Sequence, residues 1–309
     1  MNKILPFFWP TKMIIVDDNE LFVESLTEHI NNKHRCKAFT NPLDALYELQ
    51  SEEFNFDWFI SKKGFSGFGA VDYNINYQTI ESITNNSNRY NIYSTLVIDN
   101  DMPEMKGLDF CKKIPSNLGI RRIMLTGNLG YKSGVKELNH KIVDSFVAKD
   151  DLSGTIINNL ISKEERVFFD NHSKKILDFL KMENSLNPIF QEDYKNYFNQ
   201  VIEKHQICEY YMLNDQGWFL LINENGKKHV LYLYNEAELD EICKEAEYRG
   251  LKQDFLSQLK SRHKGFCFYR VENDEWPDDI RDWQQYFCDL MPITINSKKH
   301  FVAIGPYQI

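Results

Sequence analysis

The stretch "LVIDNDMPEMKGLDF", residues 96–110, joins an apolar strand to the start of a helix through an acidic loop. The apolar run ends at Ile98, and two aspartates, Asp99 and Asp101, come next. Carboxylates that follow a buried strand are typical of a site that holds a cation or an electrophilic group. The stretch therefore predicts a functional site at the carboxyl end of a strand.

The surrounding sequence, residues 12–150, alternates short apolar strands with amphipathic helices. Phe22, Leu26 and Ile30 recur at the helical period after the first strand, and Asn19 can cap that helix. This alternation is typical of α/β proteins. We expect a doubly wound sheet of five parallel strands, formed by "MIIV" (13–16), "KAFTNP" (37–42), "TLVI" (95–98), "RRIML" (121–125) and "DSFVA" (144–148).

A second acidic pair, Asp17 and Asp18, follows the first strand in "IIVDDNE". Ligands of open parallel sheets bind beyond the carboxyl ends of the strands, beside the first strand, so these two residues and Asp99 should share one crevice. Three carboxylates without a counter-ion repel one another and raise one another's pKa values. The sequence therefore predicts a hard cation with oxygen ligands, and Mg²⁺ is the expected one.

Two further strand ends carry polar side chains, Thr126 in "IMLT" and Lys149 in "FVAK". A carboxylate, a divalent cation, a hydroxyl and a lysine together suit the transfer of a phosphoryl group to Asp99. The predicted reaction is in-line attack by an Asp99 oxygen on a phosphorylated donor. Mg²⁺ and Lys149 would offset the charge on the phosphoryl oxygens.

The order of these residues resembles that of the receiver domain of two-component response regulators. An acidic pair, an acceptor aspartate, a threonine and a lysine each stand at a strand end, and Pro103 and Gly107 follow Asp99 by four and eight residues. The resemblance covers residues 12–150 and implies a flavodoxin-like receiver fold. It also implies that Asp99 is the phosphoacceptor. Mg²⁺ would be held by Asp17, Asp18, Asp99 and the main-chain carbonyl of Asp101.

The same resemblance implies a switch and a partner. Thr126 is expected to move towards the phosphoryl group, and Phe146 to swing inward with it. The donor would be a phosphohistidine on a sensor histidine kinase or on a phosphotransfer protein. The sequence departs from the family at Asp150, where receivers usually have proline, so we expect no cis peptide bond after Lys149.

Residues 51–94 interrupt the alternation of strands and helices and contain ten aromatic residues. A segment this aromatic is unlike a disordered linker, so we expect an ordered insertion with a short helix near "YQTIESI". Two interpretations stay open. The insertion either presents a docking surface to a partner or forms a lid that buries its aromatic side chains against the first domain.

The rest of the chain predicts two further regions. Residues 151–206 have helical periodicity and form a linker whose helices either pair between two chains, as the stalk of a homodimer, or cover the sheets. Residues 207–309 predict an α+β output domain with an antiparallel sheet, in which Asn225-Gly226 marks a hairpin. The expected division is a receiver over 1–150, a linker and an output domain.

Composition excludes several classes of function. The net charge of −9 is spread along the chain and does not indicate nucleic acid as a partner. Six scattered cysteines without a C-x-x-C pair argue against a zinc site and a disulfide framework, and predict a reducing cytoplasm. No apolar run approaches the roughly 20 residues of a membrane span. The opening "MNKILPFFWP" is too short in its apolar part for a signal peptide and predicts an arm packed on the first domain.

The output of the chain stays open between three classes. We favour a partner-binding or dimerising module over a transcriptional regulator with an atypical DNA-binding surface and over an enzyme on nucleotides or phosphoproteins. There is no recognisable helix-turn-helix with a basic recognition helix. The histidines lack the spacing of a metallohydrolase; they are His205, His229, His263 and His300. An enzyme would need paired carboxylates among Asp274, Glu275, Asp278, Asp279 and Asp282.

Overall fold

The computed structural model describes residues 3–32, 35–50, 56–65, 71–127, 142–267 and 283–307. The chain divides into two compact units. We call them the parallel-sheet unit (residues 10–56 and 86–174) and the antiparallel-sheet unit (residues 1–9, 57–85 and 175–309).

The strands of both units are, in chain order, β1 (Phe7–Phe8), β2 (Lys12–Val16), β3 (Cys36–Phe39), β4 (Ile60–Phe65), β5 (Val71–Ile75), β6 (Tyr93–Asp99), β7 (Arg121–Thr126), β8 (Ser145–Ala148), β9 (Ile207–Met212), β10 (Phe219–Asn223), β11 (Lys228–Asn235), β12 (Lys264–Phe266), β13 (Phe287–Asp289), β14 (Met291–Ile295) and β15 (Lys298–Pro306). The α-helices are α1 (Glu20–His29), α2 (Pro42–Gln50), α3 (Thr79–Asn85), α4 (Gly107–Lys113), α5 (Gly154–Glu183), α6 (Glu192–Lys204), α7 (Glu236–Tyr248) and α8 (Gln253–Lys260).

The parallel-sheet unit contains the five predicted strands in the order β3-β2-β6-β7-β8. Every neighbouring pair in this sheet is parallel. The chain runs from β2 to one side and then returns to β6 on the other side, so the sheet has its switch point between these two strands. The prediction of a flavodoxin-like, doubly wound sheet is confirmed.

Both faces of the parallel sheet are covered, because successive side chains of a strand point to opposite faces. Ile14 and Val16 of β2 pack in a core with residues of α2 and α4. Ile15 lies in the opposite core with residues of α1 and with Ile157 and Ile161 of α5. The beginning of α5 is therefore a layer of this unit, and it continues the unit past the boundary predicted at residue 150. This packing agrees with the interpretation of 151–206 as helices that cover the sheets, and pairing of these helices between two chains stays a prediction.

The antiparallel-sheet unit contains a six-stranded sheet in the order β1-β9-β10-β11-β15-β14. Asn225-Gly226 connects β10 to β11 as predicted, and Gly226 has a φ of +75°, which a tight hairpin turn requires. Helix α6 covers this sheet, since Phe198 packs on Tyr210 and Phe219. The prediction of an antiparallel α+β region is confirmed.

Two segments of the predicted first domain belong to the antiparallel-sheet unit. Phe7 of β1 is opposite Tyr211 of β9, so the opening segment is an edge strand of that sheet and the predicted arm on the first domain is wrong. Trp58 and Phe59 of the insertion pack on the ring of Phe7. Burial of these rings against one another groups residues 57–85 with β1 and β9. Helix α3 confirms the short helix that was predicted there.

One predicted α-helix is replaced, in its described part, by a 3₁₀ helix and strands. "DIRDWQQYFCDLM", residues 279–291, predicts an α-helix, but Trp283–Tyr286 form a 3₁₀ helix, β13 follows it, and β14 begins at the last residue of the segment. Phe287 lies opposite Phe266 in the ladder of β12 and β13, so pairing with a distant strand overrides the local helical pattern. The acidic residues Asp274 to Asp282 lie outside the described residues. Among the helices that are described, none has the length and apolar character needed to span a membrane.

Candidate functional site

The parallel-sheet unit brings together four of the residues predicted from strand ends. Asp17 directly follows β2, Asp99 ends β6, Thr126 ends β7 and Lys149 directly follows β8. Because the strands are parallel and their registers are aligned, these residues meet at the carboxyl edge of the sheet.

Three carboxylates converge beside the switch point. Asp17, Asp18 and Asp99 each offer an oxygen, and these three oxygens lie within 4.8 Å of one another. Asp17 and Asp99 are buried, whereas Asp18 is exposed. The backbone of the turn supports this arrangement, because the amide of Asn19 donates to Asp17 Oδ1 at 3.0 Å while the Asn19 side chain caps α1. This is the only group of three metal-ligating side chains within the described part of the chain.

Lys149 is shared by the two buried carboxylates. Its Nζ lies 2.7 Å from Asp17 Oδ2 and 3.1 Å from Asp99 Oδ1. The same ammonium lies 4.7 Å from the centre of the Phe22 ring, a distance at which the ring face attracts a cation. One lysine thus faces three carboxylates, and the site keeps an excess of negative charge.

The pKa values of the site reflect this crowding. Burial raises the pKa of Asp99, nearby Asp17 raises it further, and the hydrogen bond with Lys149 only partly offsets these effects. Burial lowers the pKa of Lys149, but its hydrogen bonds to Asp17 and Asp99 raise it to above its ordinary value. The lysine therefore remains an ammonium at neutral pH, and further positive charge would stabilise the ionised form of Asp99.

Thr126 and Phe146 are the two residues of the predicted switch. Thr126 is buried, and its Oγ1 has no hydrogen-bond partner in the described part of the chain. Buried hydroxyls usually find a partner, so this oxygen is available to a group that enters the site. Phe146 is half-buried in β8 and packs against the core on the α2 and α4 face.

The loop after β6 explains why a glycine, Gly107, stands eight residues after Asp99. A Cβ on Gly107 would stand 2.3 Å from the backbone oxygen of Asp99, so no other residue fits there without moving the acceptor. The Gly107 amide donates to the Asn100 carbonyl at 3.0 Å and closes the loop. The side chain of Asp101 is exposed, and that of Asn100 donates to it. No cis peptide bond occurs in the described chain, which confirms the expectation for Lys149-Asp150.

Sequence reasoning missed one member of the site. Phe22 stands three residues after the cap of α1, and its helical spacing indicates only an apolar face. Nothing in the sequence distinguishes an aromatic ring that covers a lysine from one that fills a core.

Two histidines that the sequence separates lie near each other in the antiparallel-sheet unit. The ring centroids of His205 and His229 are 6.2 Å apart.

Comparisons with known proteins give the fold of the whole chain. No family model matches the sequence, and no curated protein matches it either. Among solved structures, the Legionella pneumophila response regulator LqsR superposes with a TM-score of 0.74 at 21% identity, over 99% of this chain and 90% of that chain. A CheY-like receiver domain protein from Methanospirillum hungatei JF-1 matches at 15% identity and a TM-score of 0.35, covering 54% of this chain and 98% of that chain.

The likeness to LqsR extends over both units, whereas the match to the isolated receiver carries no weight at its TM-score. At 21% identity it establishes a common fold. The predicted resemblance to response regulators with a receiver domain is thus confirmed at the level of the fold.

Proposed function

We propose that this chain is a response regulator that accepts a phosphoryl group on Asp99. The donor is a phosphohistidine of a sensor histidine kinase or a phosphotransfer protein in the cytoplasm. The observation that carries the proposal is the position of Asp99, which is buried at a sheet edge with an oxygen 3.1 Å from the Lys149 ammonium and close to two other carboxylates. A buried carboxylate beside a cation at such an edge suits nucleophilic attack on phosphorus.

The residues present fit Mg²⁺. Three carboxylate oxygens lie within 4.8 Å of one another, and one lysine does not neutralise them. Hard oxygen donors of this kind are the ligands that Mg²⁺ prefers. We assign the ligands as Asp17, Asp18, Asp99 and the main-chain carbonyl of Asp101. When bound, the ion supplies positive charge to the phosphoryl oxygens.

Three side chains of the protein take part in the transfer of the phosphoryl group. An Asp99 oxygen attacks the phosphorus in line, the bond to the imidazole nitrogen of the donor breaks, and the donor histidine takes up a proton. The Lys149 ammonium orients Asp99 and faces the charge that develops on the phosphoryl group. Thr126 Oγ1, which has no partner in the described residues, donates to a phosphoryl oxygen.

The hydrogen bond from Thr126 to the phosphoryl group transmits the signal. A phosphoryl group adds nearly two negative charges and strong acceptors, which can bias a two-state element. Movement of Thr126 towards it opens space into which the half-buried Phe146 turns. The output is dimerisation or binding of a partner protein by the antiparallel-sheet unit.

The test is intact mass after incubation with a small phosphodonor and Mg²⁺, beside sizing chromatography. Wild type should gain the mass of one phosphoryl group. Asp99→Asn should not gain it, and the matched control Asp109→Asn, an exposed residue paired with Lys112, should behave as wild type. A gain that persists in Asp99→Asn, or no gain in wild type, would overturn phosphorylation at this site. A shift in elution volume only in phosphorylated samples would support dimerisation.

A further inference from the structure

Two cysteines that are distant in sequence lie side by side in the antiparallel-sheet unit. Cys267 directly follows β12, and Cys288 is the central residue of β13. Gly265 is opposite Cys288 in this ladder, and the Cys267 amide donates to the Tyr286 carbonyl at 2.7 Å, which extends the pairing by one residue. The two cysteines are therefore diagonal neighbours whose side chains leave the same face of the ribbon.

The thiols of Cys267 and Cys288 lie close together. Both residues carry free thiols, and each thiol shifts the pKa of the other. The backbone of β15 covers them closely, because a Cβ on Gly305 would lie 2.8 Å from Cys288 Sγ and 3.1 Å from Cys267 Cβ. The absence of a side chain at this glycine leaves room for the two cysteine side chains.

The surroundings distinguish the two thiols. Cys267 is 1% exposed, and the Tyr234 hydroxyl donates to the carbonyl of the preceding residue, Phe266, at 2.9 Å. Cys288 is 8% exposed. The hydrogen bond from Cys267 lowers the pKa of Cys288 and the Lys264 ammonium lowers it further, whereas burial raises the pKa of Cys267. Cys288 is thus the better nucleophile of the pair and the one closer to solvent.

Other cysteines of the chain have different environments. Burial raises the pKa of Cys36 to about 11 and that of Cys111 to about 12, which keeps both protonated at neutral pH. Cys243 is buried, and its sulfur accepts from the Arg262 guanidinium. These residues provide controls with the same chemistry but without the thiol neighbour that defines the pair.

We propose that Cys267 and Cys288 form a redox-active dithiol that a hydroperoxide converts into a disulfide. The Cys288 sulfur attacks the peroxide, the O–O bond breaks, an alcohol or water leaves, and Cys288 becomes a sulfenic acid. The Cys267 sulfur then attacks the Cys288 sulfur, the S–S bond forms, the S–O bond of the sulfenic acid breaks, and its oxygen leaves as water. Two electrons and both thiol protons pass to the peroxide oxygens. Formation of the disulfide brings the two sulfurs to roughly 2.05 Å from each other.

The disulfide would have a structural consequence in this unit. It would fix β12 to β13 and close the chain between Cys267 and Cys288 into a loop. A covalent link across so many residues restricts the unfolded chain and so stabilises the folded one. The oxidised protein should therefore unfold at a higher temperature than the reduced protein.

The experiment treats the full chain with hydrogen peroxide near neutral pH, blocks remaining thiols with N-ethylmaleimide after denaturation, and maps peptides without reduction. We expect a loss of two mass units, one crosslinked peptide that joins Cys267 to Cys288, and alkylation of the other four cysteines. Dithiothreitol should reverse the loss. This measurement needs only the wild-type protein, so its outcome does not depend on whether a variant folds.

Variants assign the roles of the two sulfurs. Cys288→Ser should abolish both the crosslink and the sulfenic acid trapped by dimedone, Cys267→Ser should leave the sulfenic acid trappable on Cys288, and Cys243→Ser should oxidise as wild type. Alkylation of both Cys267 and Cys288 in the peroxide-treated protein would overturn the proposal. A disulfide between any other pair would do the same.

Discussion

The parallel-sheet unit contains two clusters of buried charge, one at each end of its strands, and they differ in how their carboxylates are satisfied. At the carboxyl ends, Asp17 and Asp99 share Lys149, and Asp18 lies close to both carboxylates. At the amino ends, each of three further carboxylates is met by an arginine and by a second donor. These are Asp144, Glu164 and Glu165.

The cluster at the amino ends is complete. Glu165 accepts from the Thr11 amide at 3.0 Å and from Arg35 Nη1 at 3.0 Å. Glu164 accepts from Arg121 Nε at 2.9 Å and from a serine hydroxyl at 2.7 Å. Asp144 pairs with the same Arg121 at 2.7 Å. Each of these three carboxylates is thus met by an arginine and by a second donor.

The cluster at the carboxyl ends is incomplete by the same measure. It has as many carboxylates, but among the described residues Lys149 is the only cation that pairs with them, and the buried Thr126 hydroxyl has no partner there. A buried ion pair costs more in desolvation than it returns unless its partners are all in place. The amino-end cluster is therefore satisfied by the fold itself, whereas the carboxyl-end cluster has the unmet charge that the proposed Mg²⁺ and phosphoryl site requires.

The largest effect should come from breaking the amino-end cluster. Glu165→Ala leaves the Thr11 amide and Arg35 without their buried acceptor, which should reduce the free energy of unfolding by about 3 kcal/mol. Glu165→Gln keeps an acceptor oxygen and should lose less. Urea denaturation measures both, and phosphoryl uptake per folded molecule should match wild type. Lost uptake in a folded Glu165 variant would mean that the two clusters do not have separate roles.

A second effect tests how tightly the backbone holds the acceptor. Gly107→Ala adds a Cβ 2.3 Å from the Asp99 carbonyl oxygen, and overpacking of this kind costs about 1–3 kcal/mol. Phosphoryl uptake should also fall, since the loop that carries Asp99 must shift. The control is Gly154→Ala, whose Cβ would only reach ordinary contact at 3.4 Å from His29. Equal behaviour of the two variants in unfolding and uptake would contradict the assigned role of Gly107.

The sequence predicted the carboxyl-end cluster because its logic is local to each strand. An apolar run followed by Asp17, Asp99, Thr126 or Lys149 is visible in the sequence, and parallel pairing alone brings such strand ends together. The five strands follow from the same alternation. Phe22 was missed because its role depends on its contact with Lys149, which is distant in sequence and follows the last strand of the parallel sheet.

What the sequence did not reveal depends on long-range pairing. Phe7 lies opposite Tyr211, about two hundred residues later, so no local pattern could assign the opening segment to the antiparallel sheet. The proximity of Cys267 to Cys288 has the same origin, because the ladder of β12 and β13 makes these residues neighbours. The spacing of the cysteines argued against a disulfide framework, which is a weaker statement than excluding every pair.

A third test uses the exposure of Asp18 to separate ligand binding from folding. Mg²⁺ at ten times its dissociation constant should stabilise the wild-type fold by about 1.4 kcal/mol, which thermal unfolding can detect. Asp18→Asn should unfold like wild type without the ion, because this side chain is exposed, but should lose most of the Mg²⁺ effect. Asp109→Asn should keep it. An undiminished effect in Asp18→Asn would remove this residue from the metal site.

The smallest effect tests the crowding of carboxylates directly, through the pH dependence of stability in EDTA. Because the pKa of Asp99 is raised in the folded chain, mainly by burial, folding takes up protons as pH rises from the ordinary value of 3.8 through the raised one. Stability contributed by the protonated form is therefore lost across that window as pH increases, and the loss is complete above the folded pKa.

Asp99→Asn removes this titration. Asp144, whose pKa is also raised by burial, is present in both proteins, so its effect cancels in the difference in free energy of unfolding between variant and wild type. The variant should gain stability over wild type through the window and keep a constant advantage above it. A difference that is flat from pH 3.5 to 8 would show that Asp99 is not strained by its neighbours, and the contrast between the two clusters would then lie in geometry alone.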